Sequence, residues 1–147
     1  MSEPGTGRVD FYVLEAAGEE ARRRFACRLA EKAYRLQHSV RLEVPGLEAA
    51  RALDELLWTF RDGSFVPHEL RTEPSTEPPS PVTIGYDGTF EGAADLLINL
   101  TDRVPENLHS FPRIAEIVTS DDPGRARSRQ LFVDYRSRGH TLETHKL

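Results

Sequence analysis

Residues 9–44 read VDFYVLEAAGEEARRRFACRLAEKAYRLQHSVRLEV, and the fold is decided here. Val9-Asp-Phe-Tyr-Val-Leu14 is short, apolar and rich in β-formers, which predicts a buried strand. From Gly18 to Leu36 the apolar residues Ala21, Phe25, Leu29, Ala33 and Leu36 recur every three or four positions, with Glu19, Arg22, Arg23 and Lys32 between them. That spacing gives an amphipathic helix. Val40, Leu42 and Val44 then alternate as a second strand. Pro45-Gly46 breaks it, and Leu47 to Trp58 forms a second helix with Leu47, Ala50, Leu53 and Leu57 on one side. Strand, helix, strand, helix in this order predicts a parallel sheet with right-handed crossovers.

Outward from this unit, residues 59–70 read as a loop and 71–81 (RTEPSTEPPSP) as an exposed proline-rich connector. Strands are expected at Val82–Tyr86, Leu96–Leu100 and Ile114–Val118, with a turn at Asp87-Gly88. A last helix begins at Pro123 and runs to about Arg138, stopped by Gly139. The expected architecture is a single three-layer α/β domain over residues 1–147. Its sheet is mainly parallel, of about five strands, with helices on both faces; residues 1–7 form a flexible tail.

Composition narrows the function. The 147 residues carry 24 acidic and 19 basic side chains, a formal charge of −5, against the basic balance of a nucleic-acid coat protein. Cys27 is the one cysteine, so no intrachain disulfide or multi-cysteine zinc site can form. The N-terminal residues lack an apolar signal core, and no run approaches the ~20 apolar residues of a membrane span. A soluble cytoplasmic protein is expected. Phosphate-loop and dinucleotide glycine motifs are absent: Leu14 is followed by Glu-Ala-Ala-Gly-Glu-Glu, whose acids repel phosphate. No nucleophile elbow occurs. His38, His68, His109, His140 and His145 make no i, i+4 metal pair; His140 and His145 could meet in a folded tail, without a fixed acidic partner. Neither a metal nor a cofactor is expected.

The last helix carries the strongest signal. Arg125, Arg127, Arg129, Arg136 and Arg138 face one acid, Asp134, whereas residues 71–122 hold ten acids and three arginines. At about 100° per residue, Gly124, Ser128, Leu131 and Tyr135 share an arc fit for the core. Arg125, Arg129, Phe132 and Arg136 fall on the next arc, a basic stripe with one aromatic. Guanidinium groups favour bidentate pairing with carboxylate or phosphate. The second signal is Trp58, close in sequence to Phe60, Phe65 and Pro67, which suits either core packing or an aromatic pocket wall.

Together, Val9–Leu14, Leu53-Asp-Glu-Leu-Leu-Trp58, Ser64-Phe-Val-Pro-His68 and the arginine helix ending in Tyr135-Arg136 and Gly139 resemble the chi subunit family of bacterial DNA polymerase III. The resemblance covers nearly the whole chain. It implies a non-catalytic adaptor of the clamp loader, reached through the psi subunit, that binds the acidic C-terminal tail of single-stranded DNA-binding protein. It maps the tail pocket onto Trp58, Phe65, Val118, Arg125, Arg129, Phe132 and Arg136. Two departures stand out: Val133 replaces a basic residue that relatives can carry, and Phe132 stands where tyrosine is common. The chemistry fits, since arginines can clamp a terminal carboxylate while apolar groups enclose its phenylalanine ring. The alternative is a single-stranded nucleic-acid module built on the same arginines and aromatics, which the acidic net charge disfavours. An enzyme using nucleotides is a third reading, weakened by the missing phosphate motifs.

Overall fold

The computed structural model describes residues 7–73, 75–86, 93–106 and 111–147. The elements run β1 (Arg8–Val13), α1 (Glu19–Arg35), β2 (Val40–Glu43), α2 (Leu47–Thr59), β3 (His68–Leu70), β4 (Val82–Gly85), β5 (Leu96–Asn99), β6 (Arg113–Val118), α3 (Asp122–Ser137) and β7 (Thr141–Lys146). The strands form one sheet in the order β3-β4-β2-β5-β6-β1-β7. Every pairing is parallel.

Among the described residues the sheet therefore has seven strands rather than the expected five or so. Both extra strands lie at the edges. The His-Glu-Leu of β3 is too short and polar to stand out, and it falls inside the expected loop 59–70. In β7, Leu142 is the one large apolar residue, and the strand is bonded on one side alone. Edge strands carry this muted pattern because only part of each face is covered. The described residues of the proline-rich segment are largely exposed, yet the segment is fastened: Arg71 donates to the carbonyls of Ser75 (3.3 Å) and Glu77 (2.6 Å). Residues 1–6, Pro74, the Asp87-Gly88 turn and His109 lie outside the described residues. Gly7 is held in place, its carbonyl 3.0 Å from His140 Nδ1.

The direction of each crossover places the helices. From β1 the chain moves through α1 to β2 on one side of the sheet order, whereas from β6 it moves through α3 to β7 on the other side. Right-handed crossovers running in opposite directions put their helices on opposite faces. Two cores result. Leu42, Leu53, Leu57, Ile84, Ile98 and Ile117 pack beneath α1 and α2. Val9, Phe11, Leu97, Ile114, Leu131 and Tyr135 pack beneath α3.

Helix ends follow their local chemistry. Acids open α1 and Lys32 and Arg35 close it, which complements the helix dipole. Its exit is made by Gln37 at φ 65°, the left-handed region that favours glycine. We predict that Gln37→Gly raises stability by about 0.5–1 kcal/mol. Chemical denaturation checks this; a loss would show that the Gln37 side chain contributes more than its backbone costs. Asp121 caps α3, accepting from the Gly124 amide at 3.1 Å. Gly124 has no room for a side chain: a Cβ there would lie 2.0 Å from Thr119 Oγ1. Gly139 at φ 87° ends the helix.

Candidate peptide-binding groove

Arc by arc, α3 is laid down as its periodicity demands. Gly124, Ser128, Leu131 and Tyr135 are its buried residues. Phe132 is half-buried and meets Phe11 at a ring-centroid distance of 5.4 Å. Beside this seam a cavity of about 230 Å³ opens between α3 and the outer strands, lined by Phe11, Val13, Val118, Arg125, Ser128, Arg129, Phe132 and Thr144. Its floor is apolar. Arg125 and Arg129 are exposed on its helix side, and neither has an ion-pair partner among the described residues.

The seven residues expected to share one pocket fall into separate places. Val118, Arg125, Arg129 and Phe132 line the groove together. Arg136 lies on the same stripe, one turn beyond Phe132, exposed and outside the groove lining. Trp58 and Phe65 are elsewhere: they belong to α2 and the loop after it, in the layer on the opposite face of the sheet. A pocket formed jointly by Trp58, Phe65 and the last helix is thereby excluded, because the sheet stands between them.

Trp58 and Phe65 make a second surface. They are 54% and 63% exposed, with ring centroids 5.9 Å apart. The Ser64–His68 motif builds it by alternation. Val66 is buried in the core and turns Phe65 outward. The His68 ring lies 4.6 Å from that of Trp58. Its Nδ1 faces the Val66 carbonyl at 2.7 Å and its Nε2 faces Asp54 Oδ1 at 3.1 Å. From α1, Glu31 holds the loop, receiving the Ser64 hydroxyl and, at 2.7 Å, the Arg61 guanidinium. Burial opposes ionisation of Glu31, but these donors and the nearby Arg35 keep its carboxyl below the usual glutamate value.

Groove residues missed by sequence reasoning are Phe11, Val13, Ser128 and Thr144. The strand period of two pairs Phe11 with Val13 on one face, a legible signal. Thr144 has none, because β7 is a polar edge strand without a hydrophobic run. His145, expected to lack an acidic partner, has one: its Nε2 lies 2.8 Å from Asp10 Oδ1.

At the C-terminal ends of the strands, where nucleotide-binding α/β folds hold phosphate, this chain supplies its own anion. Asp121 accepts from the Gly18 amide at 3.0 Å as well as from Gly124. These backbone donors, with the Thr119 hydroxyl, depress its carboxyl far below the usual aspartate value. Nearby, Glu116 is fully buried and receives the amide of Asn99 and the hydroxyl of Tyr135, each at 2.6 Å. Asn99 in turn receives the Thr101 hydroxyl at 2.7 Å, and Arg22 of α1 donates to the Thr101 carbonyl at 3.0 Å. The network joins both helical layers. Cys27 is buried, and burial pushes its thiol up to about 12, a packed side chain rather than a nucleophile. Among the described residues no group of three or more His, Cys, Asp or Glu is placed to hold a metal ion. No described helix is long and apolar enough to cross a membrane.

Fold and site together define an all-parallel α/β domain that fills its phosphate crevice with a carboxylate and carries an arginine-flanked groove at one sheet edge. Comparison with known proteins gives the family: the sequence model described as DNA polymerase III chi subunit, HolC, matches residues 7–143, and the chain belongs to this family. DNA polymerase III subunit chi of Pseudomonas aeruginosa is 40% identical over 140 residues, 95% of this chain and 96% of that one. The Haemophilus influenzae subunit is 32% identical over 137 residues, 92% and 94% of the two chains. The Escherichia coli subunit is 27% identical over 139 residues, 91% and 94%. Membership places the chain among the accessory subunits of DNA replication. Among solved structures, S. cerevisiae Dbp5 bound to RNA and ADP BeF3 matches with a TM-score of 0.61 at 12% identity, covering 97% of this chain and 42% of that one. That likeness shows the fold alone.

Proposed function

We propose that this chain is a two-surface replication adaptor. Its groove takes the acidic C-terminal tail of single-stranded DNA-binding protein, and its Trp58–Phe65 surface takes psi, the link to the clamp loader. The observation that carries the first half is the groove itself: an apolar floor of Phe11, Val13, Val118 and Phe132 flanked by Arg125 and Arg129, which pair with no acid among the described residues. A tail ending in acids and Pro-Phe brings a ring and a carboxylate to one place, which is what this lining complements. Affinity in the micromolar range is expected, about −8 kcal/mol. Several tails on one oligomer then raise the effective affinity without new contacts.

The second half rests on separation. An adaptor must hold two partners at once, and the exposed Trp58–Phe65 pair lies on the sheet face opposite the groove. Exposed aromatic pairs are frequent centres of binding energy. Anisotropy of a labelled peptide ending in Asp-Ile-Pro-Phe tests the groove, with single-stranded DNA alone as comparison; DNA binding in place of peptide binding would support the nucleic-acid alternative. For the second surface, Trp58→Ala with Phe65→Ala is expected to abolish capture of psi while peptide binding stays at the wild-type level. Retained psi capture would remove the assignment.

A further inference from the structure

The groove has an outer wall as well as a helical one. Thr144 of β7 lines it, and Leu142 packs into the same layer. With a strand period of two, Lys146 leaves β7 on that same side. Register sets Lys146 beside Val13, which also lines the groove. Because α3 runs back against the strand direction, its first turn, with Arg125, stands over the strand ends that carry Lys146. The alternate residues Glu143 and His145 project to the other face, where His145 is tied to Asp10. Lys146 is exposed and has no hydrogen-bond or ion-pair partner among the described residues.

We infer that Lys146 is a third cation of the groove and a specificity-determining residue, receiving a side-chain carboxylate just upstream of the occupant's terminal residue. The inference rests on the peptide-tail reading and assigns one part of it. Arg129 adjoins Phe132 and so serves the carboxylate that accompanies the ring. Lys146, at the strand-end rim, meets the acids that precede it. Two cations on opposite walls select an acidic chain over a merely apolar one ending in phenylalanine.

Labelled peptides ending in Asp-Asp-Ile-Pro-Phe, titrated onto the full chain, test this. Lys146→Glu is expected to weaken binding about three- to tenfold, and Lys146→Ala by less in the same direction, the range that exposed charge pairs support. Lys32→Glu makes the same change in net charge on the outer side of α1 and is expected to stay within about twofold of the wild type. Replacing the peptide's two aspartates by asparagine should erase the Lys146→Glu effect, whereas amidating the peptide's C-terminus should preserve it. Equal effects at Lys146 and Lys32, or a Lys146 effect that disappears on amidation rather than on aspartate replacement, overturn the inference with the tail reading intact. Absence of binding by the wild type overturns both. Unchanged melting of the variants separates a lost contact from a lost fold.

Discussion

Arg129→Ala is expected to bind the Asp-Ile-Pro-Phe peptide about tenfold or more weakly than the wild type, and Trp58→Ala is expected to bind it as tightly as the wild type. Hydrogen bonds to charged groups contribute about 1.5–3 kcal/mol, which corresponds to roughly ten- to hundredfold in affinity. Arg129 is placed to supply such a bond, since it lines the groove and spends none of its donors on internal acids among the described residues. Phe132→Ala should cost a comparable amount for a different reason. It removes the ring that packs on Phe11 at 5.4 Å and so dismantles the apolar floor. Arginine loss should leave a shallower salt dependence, because fewer charges remain to be screened, while Phe132→Ala should leave the slope unchanged. Trp58 is the discriminating control. A pocket assembled from both sets of aromatics would make Trp58→Ala as damaging as Arg129→Ala, whereas a sheet lying between them makes it silent. Isothermal titration of the three variants decides the matter. Equal losses in all of them would mean that the variants act through a general loosening of the fold.

The difference between the expected and the observed site has a topological cause. Helical phase is local, so the buried face of α3 and the stripe beside it could be read from residues 124–136 alone. Strand alternation is local too, and β2 is legible for that reason, while β1 shows as a short apolar run of β-formers. Which residues of different elements meet is not local. The family resemblance assigns Trp58 and Phe132 to one pocket, yet α2 and α3 lie in crossovers that run in opposite directions along the sheet. Handedness converts that direction into a face, but the strand order is needed first. The strand order was hidden because its two ends, β3 and β7, are short or polar edge strands without a hydrophobic run. Thr144 and Lys146 were invisible as groove residues on the same account, and so was the partnership of His145 with Asp10. The motif Ser64–His68 was recognised as a unit, but its purpose depends on Val66 turning inward, a fact of tertiary packing.

The stability of this chain should fall as pH rises from about 5 to 8, and Glu116→Gln should flatten that fall. Burial drives Glu116 up to about 7 from an ordinary value of 4.5, against the hydrogen bonds of Tyr135 and Asn99 and the charges of Arg22 and Arg127, which pull it down. Below about pH 4.5 the carboxyl is protonated in both folded and unfolded chains. Between 4.5 and 7 the folded chain keeps a proton that the unfolded chain has released. Stability therefore drops with each increment of pH in that window and levels off above it. At about 1.4 kcal/mol per unit, the full loss is on the order of 3 kcal/mol. Glu31, Glu69 and Asp121 act in the opposite sense: their folded carboxyls are depressed, so their contributions are complete above the ordinary carboxylate range and fade in stronger acid. Their window lies below that of Glu116, and the two effects separate on the pH axis. Glutamine keeps the volume and an acceptor for Tyr135 but cannot ionise, so the variant loses the slope whatever its absolute stability. Guanidinium denaturation at pH 5, 6, 7 and 8 gives both curves. Parallel curves for wild type and Glu116→Gln would show that the buried carboxyl does not titrate in this range. The outcome bears on the groove as well, because Tyr135 sits on the buried arc of α3 while Arg129 and Phe132 occupy the adjoining one. A carboxyl that charges beneath α3 should loosen the helix that lines the groove. Peptide affinity measured across the same pH range should decline with stability in the wild type and hold level in the variant.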